Sequence, residues 1–286
     1  MPELPEVETI RRQLEPNVVG RLIVDADVLD SLWCAPRAPA EIERELCGSR
    51  IEGLGRRGKY LIIELDRERF LVMHLRMTGN LLRASPAHGS DEPRYLRFRM
   101  TLDDGFRILF ADLRRFGTGI VIEGPDALYD YLGSRLGPEP LDPTFTLDRL
   151  KEQAKGRKAP IKAFLLDQRR VAGIGNIYAD EALFRARIHP LKPAGRLKRD
   201  ELGRLRDSIV DVLEEGIRSF GASIDRYRDA NGAEGEMQNR FQIHLREGEP
   251  CPRCGTAVRK MRAAGRGTYI CPRCQRAPRR PRAMVG

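Results

Sequence analysis

The chain has 286 residues, 51 of them lysine or arginine against 41 acidic, for a net charge of +10. That length exceeds one ordinary core and predicts two domains with a further small module, while the positive balance favours a polyanionic partner, either nucleic acid or an anionic membrane surface. No segment reaches the roughly 20 apolar residues that span a bilayer, and the acidic start is unlike a basic leader with an apolar stretch behind it, so a cytoplasmic protein is expected.

The first predicted element is a helix. Pro5 suits its first turn, Glu6 and Glu8 favour its positive end, and Val7, Ile10 and Leu14 share one face. Pro2 and Glu3 stand just before it. Methionine ahead of proline is normally trimmed, which would leave a secondary amine beside a carboxylate at the helix N-terminus. A terminal amine has an ordinary pKa of about 7.7 to 8.0, and positive potential lowers it, so part of it is neutral and nucleophilic near neutral pH. Proline at position 2 is more often only a start sequence.

From Gly20 to Glu123 the pattern is one of short strands. Leu96, Phe98, Met100 and Leu102 alternate with polar residues, Tyr60 to Leu65 and Phe70 to Leu75 read as further strands, and Asp103-Asp104-Gly105 turns a hairpin. A β-sandwich or barrel follows. Arg56-Arg57-Gly58-Lys59 and the stretch Asp112 to Gly117 place cations beside glycine and an aromatic at strand ends. Such clusters are commonly solvated rims; the alternative is phosphate contact with a side chain wedged into a base stack. Met77 suits either packing or the same wedge.

The Gly-Pro-rich stretch from Gly133 to Pro143 breaks both periodicities and marks a boundary. Helices are predicted after it, one opened by Pro160 with Ile161, Phe164 and Leu165 inward, another lined by Leu202, Leu205, Ile209, Leu213 and Ile217. Between them Val171 to Asn176 is a glycine-rich turn into a helix that begins near Ile177. Tyr178 occupies the third glycine position of a dinucleotide fingerprint and no strand precedes the turn, so that reading fails. A phosphate held on backbone amides at a helix start is one use of the turn, a plain connection the other. Residues 221 to 250 read as a loop.

Cys251, Cys254, Cys271 and Cys274 form two Cys-x-x-Cys pairs sixteen residues apart, the spacing of a closed structural zinc site. Two disulfides or accidental thiols are the alternatives. Arg259, Lys260, Arg262 and Arg266 make the intervening hairpin cationic, and Cys34 and Cys47, which fit no ligand pattern, suit a reducing compartment. The domains are therefore drawn at 1–135, 136–247 and 248–286, the last comprising the finger and a basic tail.

These stretches coincide in one family. MPELPEVE at the start, RRGKYL at 56 to 61, HLRMTG at 74 to 79, DLRRFG at 112 to 117, DQRRVAGIGNIYADEALF at 167 to 184 and the cysteine finger together resemble formamidopyrimidine-DNA glycosylase. The resemblance runs nearly end to end. It implies a multidomain α+β fold: an N-terminal β-sandwich, a helical helix-two-turn-helix domain and a C-terminal four-cysteine finger holding one structural Zn2+. It also implies a monomer that excises oxidised purines from double-stranded DNA and then nicks the strand.

Carried over by position, the resemblance puts the nucleophile on Pro2, the general acid on Glu3, β-elimination on Lys59, and δ-elimination with phosphate binding on Arg266. Arg114 and Lys158 match DNA contacts and Asn176 the phosphate-binding turn, while Met77, Arg114 and Phe116 match the trio that fills the gap left by a flipped nucleotide. Residues 221 to 250 resemble the loop that covers the lesion. The chain departs from the family's Lys-His-Asp-His-like stretch, having Glu92-Pro-Arg-Tyr-Leu96 there, so a histidine DNA contact has no counterpart. The sister class, endonuclease VIII, prefers oxidised pyrimidines; Leu4 and DLRRFG favour the purine type. A non-catalytic DNA-binding zinc protein is the rival from another class. A membrane-surface role is disfavoured because the cations do not line one amphipathic helix.

Overall fold

In the computed structural model, residues 1–86 and 92–278 are described; the expected basic tail lies, from residue 279, outside them. The chain forms two compact units, one of residues 1–135 with 214–239, the other of residues 136–213 with 240–286.

The first unit opens with helix α1, Leu4–Val18, whose Val7, Ile10, Leu14 and Val18 are buried on one face. Pro5 sits in the first turn, where its missing N–H costs nothing. Among the described residues, this unit's eight strands form two antiparallel sheets. One has the order β1-β6-β7-β5, from Ile23–Val28 (β1), Gly79–Ala84 (β5), Leu96–Leu102 (β6) and Arg107–Asp112 (β7). The other has the order β2-β3-β4-β8, from Ile51–Arg57 (β2), Tyr60–Leu65 (β3), Arg69–His74 (β4) and Thr118–Glu123 (β8).

One apolar core receives side chains from both sheets and from α1. Phe98, Met100 and Phe110 come from the first sheet, Leu61, Ile63 and Met73 from the second, and Ile10 and Leu14 from the helix. Of the sandwich and the barrel that the strand pattern allows, this is the sandwich, as the resemblance implies. Two short helices interrupt a region expected to be all strand. Helix α2, Ser31–Cys34, is capped by Asp30, which accepts the Leu32 amide at 3.1 Å, and α3, Pro39–Leu46, begins on a proline. Their role is packing: Trp33 of α2 stacks on Phe98 with ring centroids 4.3 Å apart and occupies the space a side chain at Gly119 would need. Helix α4, Pro125–Gly133, follows β8.

The second unit contains α5 (Leu147–Ala154), α6 (Ile161–Leu166), α7 (Asn176–Arg185) and most of α8 (Arg199–Arg218), and then the hairpin β9 (Arg259–Ala263) with β10 (Arg266–Ile270). Ile161, Phe164 and Leu165 are inward as the periodicity predicts. Lys162 is also fully buried, which periodicity alone does not reveal. Its ammonium donates to Asp180 at 2.7 Å and to the Thr268 hydroxyl at 2.7 Å, and the second Asp180 oxygen is shared by His244 at 2.9 Å and the Tyr269 amide at 3.3 Å. A buried pair of this kind is tolerable because nearly every lone pair and proton has a partner. Glu181, next in α7, accepts the amides of Gln242, Ile243 and His244, and so fixes the segment leading into the finger. Among the described residues no helix is long and apolar enough to cross a membrane.

On α1, Glu8 accepts Arg11 at 3.0 Å, Arg12 at 2.7 Å and Arg56 of β2 at 3.0 Å. Burial alone pushes this carboxyl up, but the three guanidinium groups outweigh it and hold the pKa at about 2, against an ordinary 4.5. Because the folded-state pKa is depressed, the stabilisation is complete above pH 4.5 and disappears as pH falls through about 2. Glu8→Gln is expected to destabilise the protein at neutral pH by up to about 3 kcal/mol, less whatever solvent screens. Urea midpoints measured between neutral pH and pH 2 should show the gap from the wild type closing on the acid side.

Candidate nucleic-acid interface and metal centre

The start of α1 is held from inside the first unit. Pro2 is buried, Glu3 is 1% exposed, and the Glu3 amide donates to Glu6 Oε2 at 2.7 Å. The other oxygen, Glu6 Oε1, accepts the Ala222 amide at 2.8 Å, and the Tyr227 hydroxyl donates to the Glu6 carbonyl at 3.4 Å. Sequence reasoning credits Glu6 only with favouring the helix dipole; its carboxylate also joins the helix start to the root of the loop after residue 221. That loop is laid against α1 and β5. Gln13 takes the Ala230 amide and donates to Asp229, and Asn80 donates to the Arg226 carbonyl while accepting the Arg228 amide.

Lys59 is 7% exposed in the β2–β3 turn. Arg56 ties that turn to α1, donating to the Gly58 carbonyl at 3.0 Å and to Glu8 at 3.0 Å. At the end of β4, His74 packs edge-on against Tyr60, and its Nδ1 accepts the Arg76 amide at 2.9 Å. Burial first, then Arg76 and Lys59, lower the His74 pKa to about 3, so the ring stays neutral and keeps accepting across the physiological range. This bond shapes the turn that presents Met77, and His74 went unassigned in the sequence because a lone histidine at a strand end carries no pattern.

Met77, Arg114 and Phe116 come from two loops and meet. The Arg114 guanidinium lies 3.2 Å from Met77 Sδ and stacks 4.7 Å above the Phe116 ring, which is 49% exposed. An exposed aromatic carrying a stacked arginine is an unusual surface for water and a suitable one for a base stack.

In the second unit, Asn176 is the first residue of α7, behind a turn that Gln168 closes by accepting the Gly173 amide and donating to the Ile174 carbonyl. Asn176 Nδ2 donates to the Gly267 carbonyl at 3.1 Å, which brings the residue after Arg266 to the helix start. Arg266 itself is exposed at the beginning of β10. Lys158 is exposed on the segment before α6, whose neighbours Arg157 and Ala159 accept the Gly195 and Ala194 amides. Asn176 and Arg266 thus share a neighbourhood, and Lys158 stands on a separate, pinned segment.

The four finger sulfurs lie within 4.8 Å of one another. Their close separations are 3.5 Å for Cys254–Cys271, 3.6 Å for Cys254–Cys274 and 3.9 Å for Cys251–Cys274. A Zn–S distance of about 2.3 Å gives a tetrahedron edge of about 3.8 Å, so these sulfurs hold zinc spacing; a disulfide requires about 2.05 Å. One structural zinc is the cofactor. Cys251 and Cys271 join a small core with Val258, Tyr269, Ile243 and Phe184 of α7, and Arg253 donates to the Phe184 carbonyl at 2.8 Å, so the metal module is continuous with the helices.

Comparison with known proteins agrees with this architecture. Residues 1–119 match the formamidopyrimidine-DNA glycosylase N-terminal domain, residues 136–227 the formamidopyrimidine-DNA glycosylase H2TH domain, and residues 248–277 the zinc finger found in FPG and IleRS. Among relatives, the formamidopyrimidine-DNA glycosylase of Chloroflexus aurantiacus is 44% identical over 98% of this chain and 100% of its own, and that of Symbiobacterium thermophilum 47% identical over 95% and 88%. Two Lactococcus lactis structures superpose over 96% of this chain and 100% of theirs. One is a point variant in complex with Fapy-dG-containing DNA, at TM-score 0.90 and 38% identity, and the other is a complex with abasic-site DNA, at 0.89 and 37%. By both sequence and fold, the chain belongs to the formamidopyrimidine-DNA glycosylase family.

Proposed function

We propose that this chain excises oxidised purines, 8-oxoguanine and formamidopyrimidines, from duplex DNA and then cleaves the strand at the resulting abasic site. The carrying observation is the buried helix start, where Glu6 fixes the Glu3 amide immediately behind Pro2. Loss of Met1 leaves a secondary amine there, next to a carboxylate and at the positive end of α1.

A stacked base cannot be reached, so the nucleotide is extruded first, at a cost of a few kcal/mol that backbone contacts offset. Arg114, Lys158, Asn176 and Arg266 supply phosphate contacts, and Met77, Arg114 and Phe116 fill the vacated stack. The Pro2 nitrogen then attacks C1′ as the base departs with the electron pair of the glycosidic bond, and Glu3 delivers a proton to the sugar ring oxygen, which opens the ring. The iminium so formed acidifies C2′. Removal of that proton, assisted by Lys59, expels the 3′ phosphate, and a second elimination, assisted by Arg266, expels the 5′ phosphate. Water then hydrolyses the iminium, which returns the Pro2 amine and releases the unsaturated sugar fragment, and a one-nucleotide gap remains. The loop after residue 221, anchored to Glu6 at its root, covers the extruded base. The zinc finger stiffens the hairpin that presents Arg266. The protein acts as a monomer on one lesion, in the cytoplasm at the nucleoid.

Two outcomes are expected. Glu3→Gln should slow base release by about 10²–10⁴-fold, and an N-terminal tag or Pro2→Gly should abolish it, in both cases with duplex binding retained in a gel-shift assay; undiminished excision by the tagged chain would contradict the nucleophile. Cys254→Ser should lose zinc, measured by metal analysis, and bind lesion DNA more weakly; full affinity in metal-free protein would contradict the finger's role.

A further inference from the structure

We infer that Asp112 is a positioning residue that holds the loops bearing Met77, Arg114 and Phe116 as one preassembled wedge, an inference that rests on the functional reading above. Asp112 ends β7 and is 1% exposed. Its Oδ2 accepts the Phe116 amide at 2.8 Å and the Gly117 amide at 2.7 Å. Its Oδ1 accepts the Arg114 amide at 3.1 Å together with the hydroxyl of Thr78, the residue after Met77. The Arg114 amide also lies 3.2 Å from that hydroxyl. One carboxylate therefore joins the two loops, taking three backbone amides of one and the Thr78 hydroxyl of the other.

Everything around it makes this arrangement rigid. The Asp112 amide donates to the Tyr95 carbonyl at 3.0 Å, and the Asp112 carbonyl accepts Arg97 Nε at 3.0 Å. Between the two wedge residues, Arg115 has a positive φ of 59°, a conformation disfavoured for a side chain of that size. It is held by a paired contact to Asp30 at 2.7 and 2.9 Å. At Gly117 any side chain would run into the Phe110 ring, so the amide can come down onto Asp112 only because the residue is glycine. With the backbone fixed, Arg114 can rest on Phe116 and reach Met77 before DNA arrives. Wedge side chains ordered in advance need not be ordered during base extrusion, so the effect should fall on opening the duplex and leave the amine chemistry alone.

Asp112→Asn separates these possibilities. The amide is isosteric, yet its NH2 cannot accept a hydrogen bond, so whichever way it is turned either the Phe116 and Gly117 amides or the Arg114 amide and the Thr78 hydroxyl lose their acceptor. Three readouts are made on the zinc-loaded full chain: single-turnover excision of 8-oxoguanine in a duplex, fluorescence of 2-aminopurine placed opposite the lesion, and borohydride trapping on a single-stranded abasic oligonucleotide. The excision rate should fall by about 10²-fold, the scale of a small misplacement of a positioned group, and the fluorescence change that reports unstacking should shrink with it. Trapping on the single strand, where there is no stack to open, should stay close to the wild-type value. Thr78→Val should share this pattern and Thr78→Ser should restore it, which covers the case of an Asn variant that folds poorly. Wild-type excision and fluorescence in both Asp112→Asn and Thr78→Val, or parallel loss of all three readouts in folded protein, would overturn the inference. A wild-type chain inactive on every substrate would instead overturn the functional reading, and this inference with it.

Discussion

Each oxygen of the Glu6 carboxylate accepts a backbone amide, Glu3 at 2.7 Å and Ala222 at 2.8 Å, in a place where the residue is 1% exposed. Two segments more than two hundred residues apart in sequence are thereby fixed to the same turn of helix. An ionised or hydrogen-bonded carboxyl that deep would be costly without such partners, so the helix start and the root of the long loop stabilise each other. The chemistry inherits this constraint. A chain terminus would ordinarily fray, and here Glu3, next to the proposed nucleophile, is buried.

The same device recurs wherever the chain must present something at its surface. A buried acid gathers several hydrogen bonds beneath the surface: Asp112 holds the amides of Arg114, Phe116 and Gly117, Glu181 those of the segment entering the finger, and Asp180 the Lys162 ammonium, the His244 ring and the Tyr269 amide of β10, the strand that begins at Arg266. Each of these acids is nearly or fully buried, and none needs to meet DNA. The basic residues that give the chain its net charge of +10 can then remain on the surface with their orientation set from below.

Much of this was legible in the sequence where one pattern has one cause. The apolar face of α1, the alternation in β6 and the cysteine spacing each map to a single geometry, and the family motifs, running nearly the whole length, supplied the candidate site. Other features required tertiary information. The helices α2 and α3 are too short for periodicity to register; α2 carries Trp33 onto Phe98 beside Gly119, and α3 buries Ile42 and Leu46 in the same core. Lys162 reads as a polar break in an apolar face until Asp180 and Thr268 appear beside it. Glu6 and Asp112 sit inside recognisable motifs, but their partners are backbone amides, which leave no trace in residue identity.

The central claim is covalent: the nitrogen of Pro2, freed from Met1, becomes bonded to C1′ of the damaged nucleoside. Borohydride reduction during turnover of 8-oxoguanine DNA, followed by nuclease digestion and peptide mapping by mass spectrometry, tests it most directly. The account predicts the sugar remnant on an N-terminal peptide that begins at Pro2. An adduct on Lys59 or any other internal lysine, or active protein that retains Met1, would contradict it.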